Sequence, residues 1–283
     1  MSTKPMIKVI ECSRDAMQGI HHFIPTALKV EYVQRLLAVG FDTLDVGSFV
    51  SPKAIPQMAD TGDVLSQLDL CETSTKLLAI VANKRGAEAA AQRSEIDYLG
   101  YPFSVSETFQ IRNTNATISE SLGRLAEITA IANAHNKGLV VYLSMGFGNP
   151  YGDPWSVSVV ARWADELVQR GISILQLSDT IGVSTPESID YLFSELIPMY
   201  PEVEIGAHLH TRPDAWFAKV DAAYRSGCRR FDGALHGYGG CPMAADDLTG
   251  NMPTEHLLDY LETNAAYQID REALQKAELL LPK

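Results

Sequence analysis

The chain has 283 residues, 46% of them hydrophobic and 20% charged, which is enough to bury a large core without a disulfide or a structural metal. Against 35 Asp and Glu stand 23 Lys and Arg, a formal net charge of −12 with no basic stripe, which argues against nucleic-acid binding. Apolar runs are strand-length, below the roughly 18 residues of a membrane span, and the opening MSTKPMIKV has no apolar signal core, which predicts a chain neither membrane-spanning nor secreted.

In chain order, short apolar segments bounded by turn residues predict strands at 7–12, 43–47, 76–81, 96–101, 139–143, 172–177, 204–210 and 228–234. Helical periods fill the gaps, as in Leu28, Val33, Leu36 and Leu37, or Leu122, Leu125, Ile128 and Ile131. Thr117 stands three before Glu120 as a capping box, and Thr185 precedes Pro186 at a first helical position. Gly40, Gly138, Gly171 and Gly227 are each read as a left-handed helix stop ahead of a strand. Eight strand–helix units without a composition break, and without GxGxxG after the first strand, predict one α/β domain over residues 1–283. The expected fold is a (β/α)8 TIM barrel with a short C-terminal helical extension after about residue 265.

In such a barrel the chemistry belongs at the C-terminal ends of the strands. The first strand ends in Glu11-Cys12-Ser13-Arg14-Asp15. Arg14-Asp15 is open between a loop salt bridge and a site pair, and Glu11, deeper on the same strand parity, is expected in a structural ion pair. The seventh ends in His208-Leu209-His210, where residues i and i+2 share a face and both imidazoles can converge on a metal. Adding Asp15 gives an N2O set suited to Mg2+ or Mn2+, although spacing alone leaves Zn2+ and Co2+ open. The last strand runs into Gly237-Tyr238-Gly239-Gly240-Cys241-Pro242 and then Gly250-Asn251. A thiol on a glycine-rich loop can enter and leave a site, so Cys241 is read as functional, while Cys12, Cys71 and Cys228 are read as inert buried thiols. No two of the four cysteines form a CxxC pair, which fits a reduced cytoplasmic protein with free thiols. Asp45 and Asp179, at the ends of strands two and six, are each open between capping a loop and supporting the site.

Taken together, Arg14-Asp15, SFVSPKAIPQM at 48–58, SDTIG at 178–182, His208-x-His210, GGCP at 239–242 and GN at 250–251 resemble the hydroxymethylglutaryl-CoA lyases. These form a branch of the metal-dependent acyl-CoA lyase and synthase barrels, and the resemblance covers nearly the whole chain. It implies a divalent ion held by Asp15, His208, His210 and Asn251. It further implies catalytic roles for Arg14 and Cys241, with Asp45 and Glu255 positioning Arg14 or the loop. Gln18, Ser48, Lys53, Asp179 and Thr180 are the substrate-binding candidates on the same motifs. The chain departs from the family pattern at Ser13, where Pro is usual, and at Asp45, where Glu is usual. It also departs at Thr211-Arg212-Pro213-Asp214 and at Leu235-His236-Gly237-Tyr238, while the metal set is intact.

The implied reaction is cleavage of a 3-hydroxyacyl thioester between C2 and C3, releasing acetyl-CoA and acetoacetate. In it the metal polarises the C3 oxygen, Arg14 carries charge on the thioester oxygen, and Cys241 moves a proton. The partner is then an acyl-CoA thioester, whose phosphates need a local basic patch such as Lys53 or Lys84-Arg85; self-association into a homo-oligomer stays open. The rival enzyme is a condensing synthase or aldolase of the same barrel superfamily. The rival of another class is an acyl-CoA-binding barrel without turnover.

Overall fold

The computed structural model describes residues 4–240 and 249–280. Eight parallel strands close on themselves in sequence order: β1 (Lys8–Glu11), β2 (Thr43–Ser48), β3 (Lys76–Ile80), β4 (Tyr98–Ser104), β5 (Gly138–Ser144), β6 (Ile174–Asp179), β7 (Glu204–Leu209) and β8 (Arg230–Gly233). Every expected strand is present, trimmed or shifted by a few residues at its ends. The closing pair runs in register from Lys8 opposite Arg230 to Glu11 opposite Gly233. Such strands, covered by helices outside and by side chains inside, read as continuous apolar runs, and β2 is buried along its full length.

The helices are α1 (Ser13–Gln18), α2 (Thr26–Leu37), α3 (Thr61–Leu65), α4 (Lys84–Ala91), α5 (Glu107–Thr114) and α6 (Ile118–Ala134), then α7 (Val157–Gln169), α8 (Pro186–Met199), α9 (Trp216–Arg225), α10 (Thr254–Asn264) and α11 (Arg271–Glu278). The main core is the shell between strands and helices, where Leu36 on α2, Ile128 on α6, Leu167 on α7 and Phe193 on α8 are fully buried. The capping box at Thr117 and Glu120 forms as expected, and Thr185 caps α8 with Pro186 at its first turn. The tail forms α11, which packs back onto α2. Among the described residues no helix is long and apolar enough to cross a membrane.

Two local expectations are corrected. Gly40, Gly171 and Gly227 do take φ of +86°, +86° and +100°, but Gly138 is the first residue of β5, and the left-handed position is Asn136 at φ 54°. Gly138 is small for another reason: a Cβ there would lie 2.4 Å from Cδ1 of Tyr98 on the paired strand. Arg14 and Asp15, read as a strand exit, sit instead on α1, which starts two residues after β1 ends. A second close approach lies on β7: a Cβ on Gly206 would fall 1.6 Å from Oε1 of Gln176, so the Gln176 amide fills the space that side chain would need.

Candidate active site and metal centre

The short turn of α1 delivers Arg14 and Asp15 over the mouth of the barrel, both buried at 8% and 6% exposure. Arg14 is held from several directions. Its Nε and Nη2 donate to Oδ2 of Asp45 at 3.0 and 2.5 Å, and its Nη1 donates to Asp15 Oδ1 at 2.9 Å and to Gln18 Oε1 at 2.8 Å. Asp45 reaches this position where the β2–β3 register slips between Asp45 and Gly47, a bulge that re-aims the strand end. Gln18 closes the ring by donating to Asp15 Oδ1 at 2.6 Å. Burial opposes the guanidinium charge, but Asp45 and Asp15 outweigh it and hold Arg14 firmly protonated. Burial lifts the Asp45 carboxyl to about 6 against the pull of Arg14, so it stays ionised at neutral pH. One guanidinium therefore faces two carboxylates, which leaves a net negative charge in a water-poor site.

His208 is the penultimate residue of β7, and His210 follows the strand, paired in an antiparallel bridge with Asn251. The shared face expected from their spacing is realised: their Nε2 atoms lie 3.3 Å apart. Ligand atoms of Asp15, His208 and His210 all fall within 4.8 Å of one another. Burial pushes His210 down to about 4, with His208 acting in the same direction, so at neutral pH its ring is uncharged and free to bind a cation. For Asp15 burial pulls the other way, yet Arg14 and the two histidines hold its carboxyl below the usual range. Asn251 donates from Nδ2 to Asp15 Oδ2 at 2.5 Å and to the Tyr238 carbonyl at 2.8 Å, so it stands beside the same point. His210 Nδ1 is buried and without a partner among the described atoms. Two facing imidazole nitrogens, a buried carboxylate and an excess negative charge fit a divalent cation, and these residues are the ones that would hold it.

The centre lines a cavity of about 480 Å³. Arg14, Asp15, Gln18, Thr180, His208 and His210 line it; Val50, Ile55, Ile80 and Phe109 form an apolar wall, and Asn83, Arg112 and Asn115 lie on its lining as well. Other predicted residues fall elsewhere. Asp45 stands behind Arg14, as described. The Ser48 hydroxyl donates to the Ile80 carbonyl at 3.3 Å and is not on the wall. Asp179 is spent on its own loop and a buried lysine. It accepts from Val183 N at 2.8 Å, Ser184 N at 3.0 Å, Ser184 Oγ at 2.5 Å and Lys219 Nζ at 2.7 Å. Lys53 is exposed off the cavity, and Lys84 and Arg85 are exposed on α4 just after Asn83. Glu255, in the first turn of α10, accepts from His236 N at 3.1 Å and lies 3.0 Å from His236 Nδ1, bracing the stem of the glycine-rich segment rather than Arg14. Cys241 lies outside the described residues.

Glu11 makes no ion pair among the described residues. It accepts from Leu235 N at 3.0 Å and Thr254 Oγ1 at 2.6 Å, and burial lifts it to about 8. The parity argument fails because Asp15 is helical. Cys12 and Cys228 are buried as expected, but Cys71 is exposed. Sequence reasoning missed Asp232 on β8, whose Oδ2 lies 2.9 Å from His208 Nδ1, and Tyr142 on β5, whose ring meets His208 edge-on at 5.5 Å. An acidic residue near the C-terminal end of the last strand was the available signal for the first.

The chain matches the HMGL-like family model over residues 8–280. It is 34% identical over 268 residues to hydroxymethylglutaryl-CoA lyase YngG of Bacillus subtilis, covering 95% of this chain and 87% of that protein. It is 32% identical over 253 residues to the mitochondrial hydroxymethylglutaryl-CoA lyase of Arabidopsis thaliana, covering 89% of this chain but only 53% of that longer protein. The solved structure of an HMG-CoA lyase from Acenitobacter baumannii, in complex with coenzyme A and 3-methylmalate, superposes with a TM-score of 0.89 at 29% identity, over 98% of this chain and 91% of that one. The eight-stranded barrel, its rim of Arg14, Asp15, His208 and His210, and these likenesses place the chain in the HMGL-like family.

Proposed function

We propose that the chain cleaves 3-hydroxy-3-methylglutaryl-CoA, or a close 3-hydroxyacyl-CoA, to acetyl-CoA and acetoacetate. The observation that carries this is the convergence of Arg14 with Asp15, His208 and His210 on the lining of one cavity that also carries apolar side chains. Asp15, His208 and His210, with Asn251 beside them, would hold Mg2+ or Mn2+, which when bound would supply Lewis-acid polarisation of the C3 hydroxyl.

The protein's own part follows from the geometry. Of the five N–H donors of Arg14, one at Nε, two at Nη1 and one at Nη2 are taken by Asp45, Asp15 and Gln18. The remaining Nη2 hydrogen is the one for the thioester oxygen, where negative charge grows as the C2–C3 bond breaks. The C3 hydroxyl loses its proton and becomes the ketone of acetoacetate, and the acetyl-CoA enolate takes a proton at C2. Cys241 remains the proton-transfer group that the sequence suggests. Asp45 holds the guanidinium plane, and the apolar wall keeps water from the enolate. Lys84 and Arg85 are the cations we assign to the coenzyme A phosphates, supported by their place next to Asn83 on the cavity lining. A cytoplasmic setting belongs to the same reading, supported by the free thiols of Cys12, Cys71 and Cys228.

The test is incubation of the purified protein with Mg2+ and hydroxymethylglutaryl-CoA, with acetoacetate as the readout. Product formation that depends on added metal is expected. Acetyl-CoA condensation with a keto acid in place of cleavage would move the chain to the synthases, and tight ligand binding without product would leave a binding barrel.

A further inference from the structure

The metal-centre reading requires His208 to present a lone pair at Nε2, so its ring proton must sit on Nδ1. What holds it there lies inside the barrel, where none of the residues concerned is placed in a substrate or metal role above. Asp232 Oδ2 is 2.9 Å from His208 Nδ1, with a side chain only 1% exposed. A carboxylate can only accept there, so the ring must donate. The other oxygen of Asp232 accepts from Nε2 of Gln176 at 2.5 Å, which fixes the plane of the carboxylate from behind.

An amide could present either end to a neighbour, and a carboxylate, which only accepts, takes the NH2. Gln176 and Arg230 crowd the same space over Gly206, where a Cβ would meet Gln176 Oε1 at 1.6 Å and Arg230 Cγ at 3.0 Å. Gln176 Oε1 and Arg230 Nε and Nη2 are all buried without partners among the described atoms. The Gln176 NH2 is turned to Asp232, and its oxygen fills the space over Gly206.

We propose that Asp232 and Gln176 are positioning residues that lock His208 in its Nδ1–H tautomer and so set the affinity of the metal centre. This rests on the metal reading of Asp15, His208 and His210. In Asp232→Asn, Gln176 still donates to the new side-chain oxygen, so the introduced NH2 faces His208. The ring must then accept at Nδ1 and carry its proton on Nε2, where it blocks the cation.

The experiment titrates metal-free protein with Mn2+, following the free-ion signal by electron paramagnetic resonance, and records long-range 1H–15N spectra of histidine-labelled protein without metal. Asp232→Asn should weaken Mn2+ binding by about 10–100-fold while keeping the fold, judged by circular dichroism. Adding Gln176→Leu frees the new amide to rotate and should recover part of that loss. The His208 signals should change from Nδ1–H in wild type to Nε2–H in Asp232→Asn. An unchanged Mn2+ affinity in folded Asp232→Asn, or a His208 tautomer that does not respond, overturns the proposal. Wild-type protein that binds no Mn2+ at all would instead overturn the metal reading, and the tautomer lock would stand or fall on the spectra.

Discussion

At the end of the barrel where strands begin, Lys8, Asp42, Glu204 and Arg230 meet in a run of ion pairs. Lys8 Nζ lies 2.5 Å from Glu204 Oε2, and Arg230 Nη1 lies 2.9 Å from Glu204 Oε1 and 3.6 Å from Asp42 Oδ1. At the opposite end, Arg14 meets Asp15 and Asp45 over similar distances. The first set balances, two cations against two carboxylates, and its Lys8 and Glu204 side chains are 43% and 28% exposed, so water screens them. The second does not balance, and Asp45 is fully shielded. The same side-chain chemistry closes one end of the molecule and leaves the other short of positive charge. Place along the strand, not residue type, separates a brace from a site.

Substitutions can break that contrast, and the largest effect belongs to the charge-poor end. Removing a donor there, in His208→Ala or His210→Ala, should abolish metal binding and turnover while the melting temperature stays near wild type. Full metal stoichiometry in either variant would strike that residue from the ligand set. Arg14→Lys keeps the charge but loses the planar fork that serves Asp45, Asp15 and Gln18 together. Its kcat should fall by about 10²–10³ with metal retained, and a value within a few-fold of wild type would make Arg14 a brace like Arg230.

At the balanced end the expected losses are of stability alone. Glu204→Gln should lower unfolding free energy by about 1–3 kcal/mol in a denaturant titration, with kcat within a few-fold of wild type. A drop in kcat larger than that would mean the two ends are coupled. A further effect is one of pH, read as a slope. Burial raises Glu11 to about 8 in the folded chain from an ordinary 4.5, so between those values the folded state holds a proton that the unfolded state has released. That contribution is complete below pH 4.5 and is lost as pH rises through 8, with a slope of up to about 1.4 kcal/mol per pH unit. Glu11→Gln should flatten this slope, and an unaltered profile would show that Glu11 is already ionised in the fold.

The strands were legible because parallel strands buried on both faces leave unbroken apolar runs between turn residues. The rim was legible where donors sit at strand ends, as with His208 and His210. It was less so where local geometry intervened. The six residues of α1 are too few for a helical period to show, so Glu11 and Asp15 were given a common strand parity that they do not have. Asp179 and Ser48 carry site-like chemistry in site-like motifs, yet a loop and a neighbouring carbonyl claim them. Asp232 was passed over because a lone acid in the Arg-Phe-Asp-Gly strand does not reveal which side chain, 24 residues away, it meets on the neighbouring strand.

Gly206 carries a consequence for anyone reading sequence variation in this chain. It does not line the active-site cavity and offers no functional group, and a survey of active-site positions would pass over it. A single added methyl group there would nonetheless collide with the Gln176 amide. An alanine at this position is therefore expected to reach the metal centre through Gln176, with altered ion dependence as the readout beside any cost in stability. Variants at small interior residues of this barrel are to be ranked by whose side chain they would evict, rather than by distance from the substrate.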